Sequence, residues 1–179
     1  MSNYTIETSR IGLRSWKESD LTPFAKINAD PKVMRYFPSV LTEDETLQKV
    51  KKYQGHIDEH GFGFYAVDWK ERDQFIGVFG LSIARFPAFF TPCVEIGWRL
   101  DKSSWNQGLA TEGAKAAMCY AYEQLRLNEI YSFTTVTNIP SQRVMQKIGM
   151  RRFGYFNHPL IESGGDLSRH VIYKSTSKQ

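Results

Sequence analysis

The residues whose types and spacing best suggest chemistry form the run Trp105 to Thr111, which reads Trp-Asn-Gln-Gly-Leu-Ala-Thr. The run lies between a predicted strand and the start of an alanine-rich helix. Gly108 has no Cβ, so the backbone can approach a ligand closely, and the first N–H groups of the following helix have no intrahelical partners. With the help of the helix dipole, those groups can bind an anion such as a pyrophosphate. Many such turns bind nothing, so a purely structural role stays open.

Other glycine-containing phosphate sites do not fit this chain. A nucleotide P-loop needs a Lys-Ser/Thr pair after its glycines, and a dinucleotide fingerprint needs three glycines after a strand. The remaining candidate, Gly61-Phe62-Gly63, has only two glycines at the end of a predicted helix. The turn around Gly108 is therefore the main candidate for an anion.

The basic residues of the carboxyl-terminal part suggest a second anionic contact. The chain has 23 Lys and Arg against 19 Asp and Glu, a net charge of +4, which is mild for a nucleic-acid-binding protein. The cluster consists of Arg143, Lys147, Arg151, Arg152, Arg169, Lys174 and Lys178. It is interpreted either as a site for a polyanion, meaning nucleic acid or a phosphorylated cofactor, or as a solvated surface.

Length and composition set the class of protein. We expect one globular domain over residues 1–179, since 41% hydrophobic and 23% charged residues exclude both a disordered chain and a membrane fold. The run Met1 to Glu7 is mixed and polar, so we expect no signal segment, no membrane partner and a reducing, cytoplasmic setting. Cys93 and Cys119 lack the spacing of metal ligands, so we expect two small buried residues and no metal site.

Hydrophobic periodicity and turn residues predict an α+β layout with helices packed on a central, mostly antiparallel sheet. Thr42 and Glu45 form a capping box at the start of one helix. The predicted strands are Tyr4 to Leu13, Phe62 to Trp69, Gln74 to Ile83, Val94 to Leu100, Glu129 to Val136, Arg151 to Asn157 and Ser168 to Lys174. The predicted helices are Asp20 to Ala29, Thr42 to Gly61, Ala110 to Leu125 and Pro140 to Ile148.

Six separated motifs occur in a fixed order along the chain: Ile6 to Arg14, Asp30 to Met34, Glu95 to Leu100, Trp105 to Glu112, Asn138 to Ser141 and Lys147 to Met150. Together they resemble the GNAT superfamily of acyl-CoA-dependent N-acyltransferases. The Trp-x-x-Gly-x-Ala-Thr-Glu form of the turn is particularly similar to its RimJ/RimL-like branch, the N-terminal acetyltransferases of ribosomal proteins and their relatives. The resemblance covers roughly Thr5 to Lys174 and implies a twisted sheet that splays in the middle, with helices on both faces.

The resemblance also implies acetyl-CoA as co-substrate and a set of residues to hold it. The free backbone of Trp98, Arg99 and Leu100 would pair with the pantetheine arm like an added strand. The pyrophosphate would lie on the turn, at Trp105, Asn106, Gln107, Gly108, Leu109, Ala110 and Thr111. Asn138 and Ser141 would meet the pantetheine end, while Arg143 and Lys147 would meet the nucleotide phosphates.

Direct transfer from a thioester to an amine requires a base, an oxyanion donor and a proton for the departing thiolate. Glu95 and His158 are the candidate bases, although a surface carboxylate and a solvated loop histidine are the plain alternatives. A backbone N–H near Trp98 would serve the oxyanion. Many relatives place a tyrosine where this chain has Met145, which cannot donate a proton, so Ser141 is the candidate donor unless it only starts a helix.

We therefore predict an N-acetyltransferase that acts on a primary amine, in a monomer or homodimer. The acceptor is either the amino terminus of a protein or a small amine or amino-sugar, since acceptor loops differ freely on one fold. The apolar loop from Phe86 to Phe90 would cover a substrate or a subunit contact, or pack back onto the core. A module that only binds acyl-CoA or nucleic acid is the non-enzymatic alternative.

Overall fold

The fold is known from a computed structural model that describes residues 4–177. The start of the polar amino-terminal run and Lys178 of the basic cluster lie outside the described residues. The strands are β1 (Ile6–Glu7), β2 (Ile11–Arg14), β3 (Phe64–Trp69), β4 (Gln74–Ala84), β5 (Cys93–Leu100), β6 (Glu129–Thr135), β7 (Arg151–Asn157) and β8 (Arg169–Thr176). The helices are α1 (Leu21–Ala29), α2 (Pro31–Met34), α3 (Glu43–His60), α4 (Leu109–Glu123) and α5 (Ile139–Lys147).

The strands form one sheet in the order β1-β2-β3-β4-β5-β6-β8-β7. All neighbours are antiparallel except β5 and β6, which are parallel and share a single register pair, Glu95 with Tyr131. This confirms the predicted α+β sheet that is mostly antiparallel and splays in the middle.

Adjacent residues of β4 show that helices cover both faces of the sheet. Val78 packs with Phe24 of α1 and Val50 of α3, whereas Phe79 lies in the cluster that contains Ala114 of α4. Neighbouring side chains of a strand point to opposite faces, so α1 and α3 lie on one side and α4 on the other. Both faces of the sheet are therefore covered by helices.

Local sequence signals place most helix ends as predicted. Thr42 and Glu45 form the capping box of α3, and Gly61 ends that helix with a φ of 75°. On α4, an ideal Cβ at Gly113 would lie 2.9 Å from Ile11 Cδ1 and 3.1 Å from Phe79. The small residues of α4 thus allow the close packing on the sheet that the sequence predicts.

The prediction of one strand from Tyr4 to Leu13 is wrong. That segment is a hairpin in which Ile6 pairs with Leu13. Thr8 Oγ1 accepts hydrogen bonds from the backbone N–H groups of Arg10 and Ile11, at 3.3 and 3.0 Å, and so closes the turn. The Thr8 hydroxyl thus stabilises a turn in the middle of the segment that the sequence pattern predicts to be one strand.

The expectation that both cysteines are buried is also wrong. Cys119 is exposed and Cys93 is half-buried. Cys119 lies on α4 between the buried Met118 and Ala121, on the side of the helix turned away from the sheet. Helical periodicity, which places neighbours about 100° apart, accounts for its exposure.

None of the helices among residues 4–177 combines the length and apolar character that crossing a bilayer requires.

A buried ion network joins the amino-terminal hairpin to β3 and to Asp20, the residue that precedes α1. The guanidinium of Arg14 donates to both oxygens of Asp20, at 2.7 and 2.9 Å, and to both oxygens of Asp68, at 2.6 and 2.7 Å. Arg14 and Asp20 are almost inaccessible to solvent. Burial alone would lower the pKa of Arg14, but the hydrogen bonds to the two carboxylates outweigh it and raise that pKa. The guanidinium and the two carboxylates form a network of charge-assisted hydrogen bonds. Removing any one of the three groups would leave a buried charge without its partner, which is strongly destabilising.

Replacing Arg14 by Leu should lower the free energy of unfolding by about 3–5 kcal/mol, because two carboxylates would be left without their cation. Urea denaturation of the variant measures the loss. Arg85→Leu, at an exposed position, is the matched control and should stay within about 0.5 kcal/mol. Equal stability of the Arg14 variant and the parent would show that the network contributes nothing.

Candidate active site

The separation of β5 from β6 creates an open strand edge. The last link between the two strands is the Ser132 hydroxyl, which donates to the Ile96 carbonyl at 2.9 Å. Both backbone groups of a strand residue point to the same edge, and the edge alternates along the strand. Since Ile96 faces β6, Trp98 and Leu100 face the gap, where the Leu100 carbonyl accepts a hydrogen bond from the Trp105 indole at 2.9 Å.

The backbone of Arg99 points the other way. Its carbonyl oxygen lies against Gly77 of β4, so closely that a Cβ would not fit there. Its side chain lies on the face of α1 and α3 rather than in the gap. The predicted pairing of a ligand with Trp98, Arg99 and Leu100 is thus available at Trp98 and Leu100, while Arg99 is turned toward its neighbouring strand.

The turn after β5 has the geometry of an anion site. Asn106 and Gly108 have positive φ values, 59° and 80°, and Gly108 starts α4 without a side-chain cap. The first intrahelical bond of α4 joins the Glu112 N–H to the Gly108 carbonyl. The N–H groups of Leu109, Ala110 and Thr111 therefore have no partner within the helix. Trp105, Asn106 and Gln107 form the approach to this turn, as the sequence predicts.

A salt bridge that sequence reasoning missed braces this turn. Arg10 Nη1 donates to the Gln107 carbonyl at 2.9 Å, and Arg10 Nε donates to Glu112 at 2.7 Å. Burial would raise the pKa of Glu112, but hydrogen bonds from Thr8 and Arg10 lower it. The amino-terminal hairpin thus holds the turn in place. Both partners lie in motifs singled out above, but a single sequence does not show that residues so far apart meet.

Glu95 lies at the closed end of the gap, on the face of α1 and α3. It is half-buried, and its electrostatic neighbours on α3 are Lys49 and Tyr53. Burial raises the pKa of Glu95 to about 7, and the charge of Lys49 opposes that rise. A carboxyl group with this pKa is partly ionised at neutral pH, so it can accept a proton from a substrate.

Arg99 lies on the same face of β5, two positions beyond Gly97. It is 8% exposed, and its Nη1 donates to the Asn28 side-chain oxygen at 2.6 Å. The Asn28 amide in turn donates to the Thr46 hydroxyl at 3.1 Å. The bonds join β5, α1 and α3 beside Glu95, a convergence that periodicity alone did not reveal.

His158 lies in a different environment from Glu95. Its ring packs at 4.6 Å from Phe86 and 5.1 Å from His170, and its Nδ1 accepts a bond from the Leu160 N–H at 3.3 Å. Burial lowers the pKa of His158. The structure therefore brings Glu95 together with groups of α3, and places His158 in an aromatic cluster.

The loop from Phe86 to Phe90 is part of that aromatic cluster. Phe86 stacks on Phe156 at 5.9 Å, and the buried Phe90 packs 5.8 Å from Tyr131. Because Tyr131 is the register partner of Glu95, the loop packs on the sheet next to the strand position of Glu95. Packing back onto the sheet, one of the three predicted roles, is what the loop does, although Phe89 is 69% exposed.

The start of α5 shows a capping role for Asn138. Its Oδ1 accepts from the Ser141 N–H at 3.3 Å and its Nδ2 donates to Thr134 at 2.8 Å. Ser141 is a half-buried residue of the first turn, the plain alternative considered above, and its hydroxyl stays a predicted donor. Met145 is 2% exposed in the core. Arg143 and Lys147 are exposed, one helical turn apart, as a contact to phosphates would require.

No cluster of three potential metal-ligating side chains occurs within residues 4–177.

Comparisons with known proteins agree with this geometry. The profile described as Acetyltransferase (GNAT) domain matches residues 10–151. An uncharacterized N-acetyltransferase of Bacillus subtilis, YnaD, is 34% identical over 152 residues, which are 84% of this chain and 85% of the relative.

Solved structures show the same fold. An acetyltransferase of the GNAT family from Bacillus anthracis superposes with a TM-score of 0.79 at 29% identity, covering 96% of this chain and 97% of that one. RimL, a ribosomal-protein acetyltransferase solved in complex with coenzyme A, superposes with a TM-score of 0.76 at 19% identity, covering 94% and 95%.

The opposing effects on Glu95 can be measured directly. In an NMR titration of its side-chain carboxyl, the midpoint should lie near pH 7, because burial favours the neutral form. Lys49→Met should raise that midpoint, since the nearby positive charge now favours the carboxylate. Lys51→Met, which changes an exposed lysine of the same helix, is the control. A midpoint in the ordinary range of glutamate would contradict the assigned burial.

Proposed function

This chain belongs to the GNAT family of acetyltransferases, and on that basis we propose that it transfers an acetyl group directly from acetyl-CoA to a primary amine. The observation that carries the proposal is the gap between β5 and β6, with a carboxylate of raised pKa at its closed end. The free edge of β5, the uncapped start of α4 and the base Glu95 would then line one binding path along the gap. The Trp105 to Glu112 motif supports placing the chain in the RimJ/RimL-like branch.

The cofactor contacts follow from the free backbone groups. Trp98 and the N–H of Leu100 offer strand-edge groups to the amides of the pantetheine arm, while the Leu100 carbonyl already accepts from the Trp105 indole. The N–H groups at the start of α4 hold the pyrophosphate, and Arg10 steadies the turn from the other side. Arg143 and Lys147 add exposed positive charge for the nucleotide phosphates, where solvent makes each contact weak. Acetyl-CoA supplies the thioester, the activated acyl group of the reaction.

Glu95 removes the proton of the attacking amine, directly or through water. A primary amine is mostly protonated at neutral pH, so the reaction needs a base whose pKa lies near the working pH. The Trp98 N–H faces the gap and stabilises the oxyanion that develops on the acetyl carbonyl. The Ser141 hydroxyl, or water beside it, donates a proton to the departing thiolate. His158 is left with a packing role beside the acceptor.

The setting of the enzyme is part of the proposal. One sheet with helices on both faces supports a single domain over residues 1–179. The two cysteines are unpaired, which supports a reducing, cytoplasmic environment.

A bulky side chain at Gly108 should block the pyrophosphate turn. Gly108→Trp is expected to weaken acetyl-CoA binding at least ~10-fold in calorimetric titration, because its side chain would occupy the anion position. Gly108→Ala carries the same backbone strain at a φ of 80° without the bulk. Equal affinities for the two variants would show that the pyrophosphate lies elsewhere.

Removing the carboxylate should slow the reaction and change its pH dependence. In the parent, kcat/KM should fall as pH drops below about 7, because protonated Glu95 cannot accept a proton. Glu95→Gln should lower kcat by about 10²–10⁴-fold and remove that acidic limb. His158→Gln serves as the comparison and should keep the limb. If the limb disappears with His158 instead, the base has been assigned to the wrong residue.

A further inference from the structure

The region between β5 and α3 that holds Glu95 carries more positive than negative charge. Arg99 of β5 is 8% exposed and Lys49 of α3 is half-buried, and burial together with the charge of Arg99 lowers the pKa of Lys49, so the two cations lie near each other. Within residues 4–177, neither side chain forms an ion pair with a carboxylate. Glu95 is the acidic group that acts on Lys49, and its raised pKa leaves it only partly ionised at neutral pH. One partial negative charge thus stands against the two positive charges of Lys49 and Arg99.

The contacts of Arg99 orient its guanidinium without neutralising it. Its Nη1 donates to the neutral Asn28 amide at 2.6 Å, and its plane lies 4.1 Å from the centre of the Phe37 ring. Its Nε is buried and has no hydrogen-bond partner among the described residues. A buried cation without a countercharge is costly, and proteins normally supply one. The missing charge is expected from a ligand.

The phosphates of the cofactor cannot supply that charge. The turn around Gly108 leads into α4, which packs on the opposite face of the sheet from α1 and α3. Arg99 reaches Asn28 of α1, so its guanidinium lies on the face opposite α4, whose first N–H groups would hold the pyrophosphate. The pantetheine arm between them is neutral. The anion must therefore belong to the second substrate, the acceptor.

We propose that the acceptor is a small amine that also carries a carboxylate, which Arg99 and Lys49 bind while Glu95 receives the amine. The inference rests on the proposed acetyl transfer and names its substrate class. In a zwitterionic amino acid, the ammonium group would bind Glu95 and the carboxylate would bind Arg99 and Lys49. Arg99 is buried against the Phe37 ring, and the Phe64 ring lies 3.1 Å from where a Gly97 Cβ would be, between Glu95 and Arg99 on this face of β5.

The test compares matched acceptors that differ only in the carboxylate. With saturating acetyl-CoA, release of the free thiol is followed for straight-chain ω-amino acids and for their primary amides, with rates corrected for the ionisation of each amine. The acids should have a kcat/KM about 10–100-fold higher, the range expected for charge-assisted bonds. A short peptide with a free amino terminus and no acidic residue is the third arm.

Variants show whether the two cations cause the preference. At a pH well above the Glu95 midpoint, where the loss of the Lys49 charge no longer changes the ionisation of the base, Lys49→Gln should raise KM for the acids more than for the amides, and so reduce the preference. Lys51→Gln, on the exposed side of α3, should keep the preference of the parent. Arg99→Gln should remove most of it, and if that variant fails to fold, the Lys49 pair still decides the question.

The outcomes separate this inference from the proposed function. If amides or the peptide are acetylated as fast as the acids, the carboxylate site is overturned while acetyl transfer stands. If no amine is acetylated, acetyl transfer to these amines fails, and the carboxylate site is decided by calorimetric binding of the N-acetylated acids against their amides in the presence of coenzyme A. Tighter binding of the acids supports the site, and equal binding overturns it.

Discussion

The divergence of two parallel strands is the constraint on which the rest of this structure depends. β5 and β6 pair at Glu95 and Tyr131, and the Ser132 hydroxyl fastens the Ile96 carbonyl where a further ladder bond would otherwise form. Beyond that point a strand edge is left without its neighbour, a condition that folded proteins usually avoid. The unsatisfied groups require a partner with an extended backbone-like shape. A ligand with amide groups along a narrow chain meets that requirement, and the gap therefore defines the family chemistry as well as the fold.

Two places along the gap are held by side chains from distant parts of the chain. At the open end, Arg10 joins the Gln107 carbonyl to Glu112 and so fixes the start of α4. Along the separated part of β5, Arg99 is held by Asn28. Each brace uses an arginine because its planar group can meet several partners in a fixed geometry. The reacting groups can thus stay in register although the strands that carry them have separated.

Local signals were readable in the sequence, and long-range contacts were not. The capping box of Thr42 and the left-handed glycine at position 108 depend on neighbouring residues, so their roles follow from residue type and spacing. Lys49 was missed because nothing within α3 indicates that its side chain reaches the face of β5. The raised pKa of Glu95 depends on burial by other elements, which one strand cannot show. The hairpin at Thr8 was missed because the same residue pattern fits one long strand or two short strands. The turn between the two short strands depends on hydrogen bonds to the Thr8 hydroxyl.

The strand order has a consequence for synthesis on the ribosome, where the chain emerges from its amino end. β8 lies between β6 and β7 in the sheet, although it follows both of them in the chain. Until residues 169–176 emerge, β6 has one weakly attached neighbour on one side and none on the other. An exposed strand edge invites pairing with other chains. The gap that admits the substrate therefore also makes the second half of the sheet the last part of the nascent chain to be protected.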